Sequence, residues 1–127
     1  MAEIKITNVD SIGKPVGPYS HVARVKAGET LYIAGMLAAG DSFEAQCAAV
    51  YAQIEQALKS AGAGWKNVAQ FTTYLVHSQD IAQFYRWREQ NYPRMFPDGK
   101  YPPNTLLIID RLVQEQFLIE IQTVAAL

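Results

Sequence analysis

Two stretches of the chain carry a helical apolar stripe, while six read as strands, and this imbalance constrains the fold more than anything else. The first helical stretch is marked by Phe43, Cys47, Val50, Tyr51, Ile54 and Leu58, which share one face at a period near 3.6. Asp41 with Glu44 reads as its capping-box start, and Gly62 and Gly64 stop it. The second is marked by Ile81, Phe84, Tyr85, Arg88 and Tyr92. Ser78 or Asp80 caps it, and Pro93 bounds it, because proline disfavours the helical conformation in the residue before it.

The strand-like stretches surround these two. Ile4 to Thr7 reads as an edge strand. His21 to Lys26 and Thr30 to Ala34 are expected to form a hairpin turning at Gly28 and Glu29. Val68 to Val76 follows the first helix, Thr105 to Ile109 is a continuous apolar run, and Phe117 to Ala126 is the last strand. The order is therefore β-β-β-α-β-α-β-β. Two helices cannot cover both faces of so many strands. The expectation is an α+β fold, with a mixed six-stranded sheet and both helices on one face. The other face then needs apolar cover, and partner subunits are the obvious source.

A length of 127 residues fits one domain spanning residues 1–127. The net charge of -1, with lysine and arginine scattered, gives no general grip on nucleic acid. No apolar run approaches the ~20 residues that cross a bilayer. The segment Met1 to Thr7 lacks the apolar stretch of a secretory leader, and the single cysteine, Cys47, excludes an internal disulfide. A cytoplasmic protein without membrane attachment is expected. His21, His77 and Cys47 are too dispersed to suggest a metal site, and no Gly-rich phosphate loop appears, so neither metal nor cofactor is expected. Trp87 is expected on the outer side of the second helix, and Arg111 is expected to pair with an acid such as Asp110.

Several short motifs, in order, resemble the Rid/YjgF family. They are Gly17-Pro18-Tyr19-Ser20, Leu31 to Met36, Ala61-Gly62 through Asn67-Val68, Thr72 to Leu75, Asp80-Ile81-Ala82, Pro102 to Leu112, and Leu118 to Gln122. The resemblance runs from about Gly17 onward. It implies a chorismate-mutase-like fold and a homotrimer in which three sheets form a barrel-like core, with small-molecule pockets at the subunit interfaces. It also implies an activity class, the deamination of reactive imines and enamines.

The resemblance further implies roles for single residues. Glu120 stands where the family has a glutamate that positions water, a task suited to a carboxylate. Tyr19, Gly35, Tyr85, Asn104 and Thr105 stand at substrate-binding positions. Asn104 departs from the pattern, because the family has an arginine there that grips a substrate carboxylate. An amide carries no charge and cannot reproduce that fork, a contact worth roughly 1.5 to 3 kcal/mol. Ala34, Tyr85 and Leu106 also replace polar or reactive family groups, so the pocket is expected to be less polar.

Three readings follow. The first is a Rid-like protein that is not an efficient 2-imino acid deaminase, with Glu120 assisting water attack on a different small substrate. The second is a true imine or enamine deaminase in which Arg94 or Lys100 replaces the missing cation. The third is a non-catalytic, ligand-binding regulatory trimer.

Overall fold

A computed structural model describes residues 2–127. The elements run β1 (Glu3–Thr7), a 3-10 turn, β2 (Val22–Lys26), β3 (Thr30–Met36), α1 (Phe43–Ser60), a second 3-10 turn, β4 (Val68–Leu75), α2 (Asp80–Met95), β5 (Asn104–Ile108) and β6 (Ile119–Ala126). The α+β class, the two helices and the mixed sheet are as the sequence leads one to expect.

The six strands do not form one sheet. β3, β6, β4 and β5 make a four-stranded mixed sheet in that order, and β1 and β2 pair separately as an antiparallel ribbon. The hairpin expected between β2 and β3 is therefore absent. Its turn is held elsewhere: Gly28 N and Glu29 N both donate to Leu127 O, and Leu127 N donates back to Glu29 O. With these groups engaged by the chain end, β2 pairs with β1 instead, Glu3 opposite Lys26 and Thr7 opposite Val22.

Strand alternation assigns the two faces of the larger sheet. Phe71, Thr73 and Leu75 of β4, with Ile119, Ile121, Thr123 and Ala125 of β6, point to the helices and are almost fully buried. The α1 stripe meets them as expected. Thr72 and Tyr74 of β4, with Glu120, Gln122 and Val124 of β6, point to the other face, which carries no helix. On that open face Tyr32 of β3 is 81% exposed.

Four local expectations are corrected. The N-cap of α2 is Gln79, which makes no side-chain cap hydrogen bond, so neither Ser78 nor Asp80 is the cap. The N-cap of α1 is Ser42, whose Oγ accepts from Ala45 N at 3.1 Å, so Asp41 is not the cap. Pro93 does not end α2, which continues to Met95. A proline so near the end removes one hydrogen bond from a turn about to stop anyway. Trp87 is buried, with its ring stacked on Tyr51 at 4.4 Å. This pair welds α1 to α2, and the Tyr51 and Tyr92 hydroxyls add a buried hydrogen bond of 2.9 Å. Gln46 of α1 closes the core's edge. Its amide donates to Gly40 O and Gln116 O and accepts from Leu118 N.

Candidate functional site

Glu120 belongs to the open face of β6, directly opposite Tyr74 of β4. Its position depends on a bulge in β3. Ile33 pairs with Thr123 and Met36 with Ile121, so Ala34 and Gly35 together oppose Gln122. A bulge bends its strand and re-aims what lies beside it. The Glu120 side chain lies across Gly35. A Cβ at residue 35 would stand 2.6 Å from the Glu120 carboxyl carbon, closer than real contacts allow. Glycine leaves this space open, and a Cβ here would displace the flexible end of Glu120 but no backbone. Glu120 is half-buried and makes no side-chain hydrogen bond or ion pair among the described residues.

β5 adds to this face. Thr105 pairs with Thr72, and Leu107 with Tyr74. Two rows therefore cross the sheet, Thr105–Thr72–Gln122 and Leu107–Tyr74–Glu120. Thr72, Tyr74 and Gln122 were not singled out from the sequence. The signal along Gln70 to Leu75 was weak, because Thr73 puts a polar residue on the buried side.

Asn104 lies elsewhere. It shares the helix-covered face with Phe71 and Thr73, and its Oδ1 accepts a 2.7 Å hydrogen bond from the Thr73 hydroxyl. Leu106 is on the same side, packed against the core. Thr73 is fully buried, and the Asn104 carbonyl satisfies its hydroxyl.

Tyr19 and Tyr85 form a third group. The Tyr85 hydroxyl donates to Val16 O at 3.0 Å, and the Tyr19 hydroxyl accepts from Val16 N at 3.4 Å. The Tyr85 ring lies on Gly17, where a Cβ would come within 2.8 Å of the ring carbon bearing the hydroxyl. The Gly17-Pro18-Tyr19 segment is thus seated on α2. Within one chain, Glu120, Gly35 and Thr105 belong to the open side of the sheet, whereas Asn104 is on the covered side and Tyr85 on the helix layer.

The basic residues have other roles. Arg94 hydrogen-bonds Asn91 at 3.4 Å. Lys100 lines a cavity of about 260 Å³ with Ile4, Ile6, Trp65 and Lys66, and neither Asn104 nor Glu120 borders it. Arg111 braces its own loop, donating to Leu112 O and Val113 O and pairing with Glu115 at 3.3 Å, not with Asp110. His21 also has partners: its Nδ1 accepts from Val9 N and its backbone N donates to Asn8 Oδ1. No cluster of three potential metal ligands exists among the described residues, and no helix is long and apolar enough to cross a membrane.

The sequence profile of the family described as endoribonuclease L-PSP matches residues 10–127. A RutC family protein of Synechocystis is 28% identical, over 98% of this chain and 97% of its own. A protein of the conserved Rid family from Yersinia pestis is 26% identical and superposes with a TM-score of 0.80, covering 98% of both chains. RidA from an Antarctic Psychrobacter is 25% identical with a TM-score of 0.69, over 97% of this chain and 99% of its own.

Proposed function

Because the chain belongs to the endoribonuclease L-PSP family, which is the Rid/YjgF family of its structural relatives, we propose that it binds a small molecule between copies of itself and hydrolyses it with Glu120 as the base. The observation that carries this reading is the unpartnered, half-buried Glu120 carboxylate lying on the Gly35 backbone. A carboxylate so placed can orient a water and take its proton. On an imine or enamine-derived iminium, the water oxygen bonds to the electrophilic carbon while its proton passes to Glu120. That proton returns to nitrogen; as the carbon–nitrogen bond breaks, the new hydroxyl gives its proton to Glu120, which passes it to the departing ammonia and leaves a carbonyl product and ammonium.

The separation of Tyr19, Tyr85 and Asn104 from Glu120, Gly35 and Thr105 favours a pocket completed by a neighbouring copy. A homotrimer, with the open faces turned inward, accounts for the exposed Tyr32 and Leu107. In this pocket Tyr19, Gly35, Tyr85 and Thr105 contact substrate, and Asn104 does so by turning away from Thr73. Asn104 supplies no charge, so 2-imino acids are poor substrates, and less polar imines, enamines or amides are better ones.

The test is ammonia release from a panel of these compounds, with freshly generated 2-iminobutanoate for comparison. The expected result is turnover of at least one uncharged substrate, lost in Glu120→Gln, with little acceleration for 2-iminobutanoate. A fast 2-iminobutanoate reaction that vanishes in Glu120→Gln would make the protein an ordinary deaminase and sink the substrate assignment. Turnover that survives Glu120→Gln would remove the glutamate's role.

A further inference from the structure

We propose that Arg88 is the anchor of a binding site for small organic carboxylates, masked in this structure by Tyr85 and the Val16–Gly17 segment. Arg88 is 2% exposed, yet the ion pairs among the described residues, Lys59–Glu55 and Arg111–Glu115, do not include it. Its guanidinium carbon stands 3.9 Å from the centre of the Phe84 ring and 4.8 Å from that of Tyr85. Its Nε is buried without an acceptor.

The polar groups facing Arg88 from the rest of the core are Cys47 and Tyr51 of α1 and Tyr92 of α2. None supplies a counter-charge. Burial pushes the Cys47 thiol and the Tyr51 phenol well up, and pushes Tyr92 up to about 12, so all three keep their protons at neutral pH. Arginine cannot escape by losing a proton. A buried cation without a partner is costly, and an apolar residue of similar size would remove that cost. The rings offset part of it, but they leave the Nε edge unsatisfied.

That edge is where a ligand fits. Phe84 and Tyr85 engage the flat guanidinium and the Tyr92 hydroxyl takes part of its rim, which leaves the Nε edge for a planar oxygen acceptor. A carboxylate has this shape and supplies the missing charge. Tyr85 is the movable wall. Its hydroxyl makes one hydrogen bond, to the carbonyl of Val16, a residue 82% exposed. Rotating the Tyr85 side chain outward breaks that bond, frees the segment over Gly17, and opens a space about the size of a phenol. The site lies on the helix side of the sheet, shares only Tyr85 with the hydrolytic reading above, and does not need Glu120.

Calorimetry and thermal unfolding with acetate and benzoate test this, with acetamide and benzamide as uncharged controls. The carboxylates should bind one per chain and raise the melting temperature, and the amides should not. Arg88→Met should bind them at least about tenfold more weakly, the effect of one lost charged contact. Without ligand, that variant should melt at the same or a higher temperature than the parent, because an unpaired buried charge has gone. Arg88→Lys should fall between the two, keeping charge but not the fork. Tyr85→Phe, which removes only the bond to Val16, should bind more tightly. Equal binding of acids and amides, unchanged binding in Arg88→Met, or an Arg88→Met variant that melts early or fails to fold would overturn the site. Unchanged or weaker binding in Tyr85→Phe would overturn the mask. Since neither ligand can be hydrolysed, these outcomes are separate from those for Glu120.

Discussion

At residue 35 the difference between a hydrogen and a methyl group decides where the Glu120 carboxylate can lie. Gly35→Ala should push that side chain off the β3 backbone at little cost in stability, because the flexible end of Glu120 can move aside. Any Glu120-dependent turnover should fall much further than thermal stability does, and parallel activity assays and melts will show this. The Tyr51–Tyr92 pair gives a second test, by alkaline titration. Burial holds the Tyr92 phenol up to about 12, against about 10 for a tyrosine in an unfolded chain. The unfolded state loses its proton first, so this contribution to stability is complete below pH about 10 and is lost as the pH rises towards 12. Phenolate absorbance should contain a late-ionising fraction from Tyr51 and Tyr92. Its absence while the protein is still folded would mean that the pair is not buried.

At the scale of elements, α1 is the piece whose energetics are clearest. Ser42→Ala removes the side-chain acceptor for Ala45 N and should destabilise the protein by about 1 kcal/mol, while Asp41→Ala should do much less. Denaturant midpoints of the two variants will rank them. A larger loss from Asp41→Ala would return the cap to the residue that sequence spacing favours. Ser42 was hidden in the sequence because two neighbouring cap-forming residues precede the same apolar stripe, and only the φ/ψ of the first turn selects one. The bulge in β3 was hidden for a related reason. Bulge placement depends on the register of β3 against β6, which arrives far later in the chain, as the pairing of Ile33 with Thr123 shows.

For the whole molecule, the open sheet face is the feature that asks for more protein. Tyr32 is a large aromatic, 81% exposed, at the edge strand of that face. A charge there is harmless to an isolated chain and damaging to an inward-facing trimer. Tyr32→Asp should leave the circular dichroism of the folded chain intact and, for the proposed trimer, shift light scattering towards monomer. A parent protein that scatters as a monomer would remove the interfacial pocket.

The sequence by itself determined the element types, the α1 stripe and the placing of Glu120 on the face of β6 opposite Ile119 and Ile121. These follow from periods of 3.6 and 2.0 read along local stretches. The motif order from Gly17 to Gln122 was likewise enough to point to the family. Tertiary structure alone decided that β2 pairs with β1, that Glu120 rests on Gly35, that Asn104 turns to Thr73, and that Arg88 is buried without an acid. Each of these depends on which distant residue arrives opposite. Local periodicity assigns a side chain to a face but does not name its partner, and here the partners decide the chemistry.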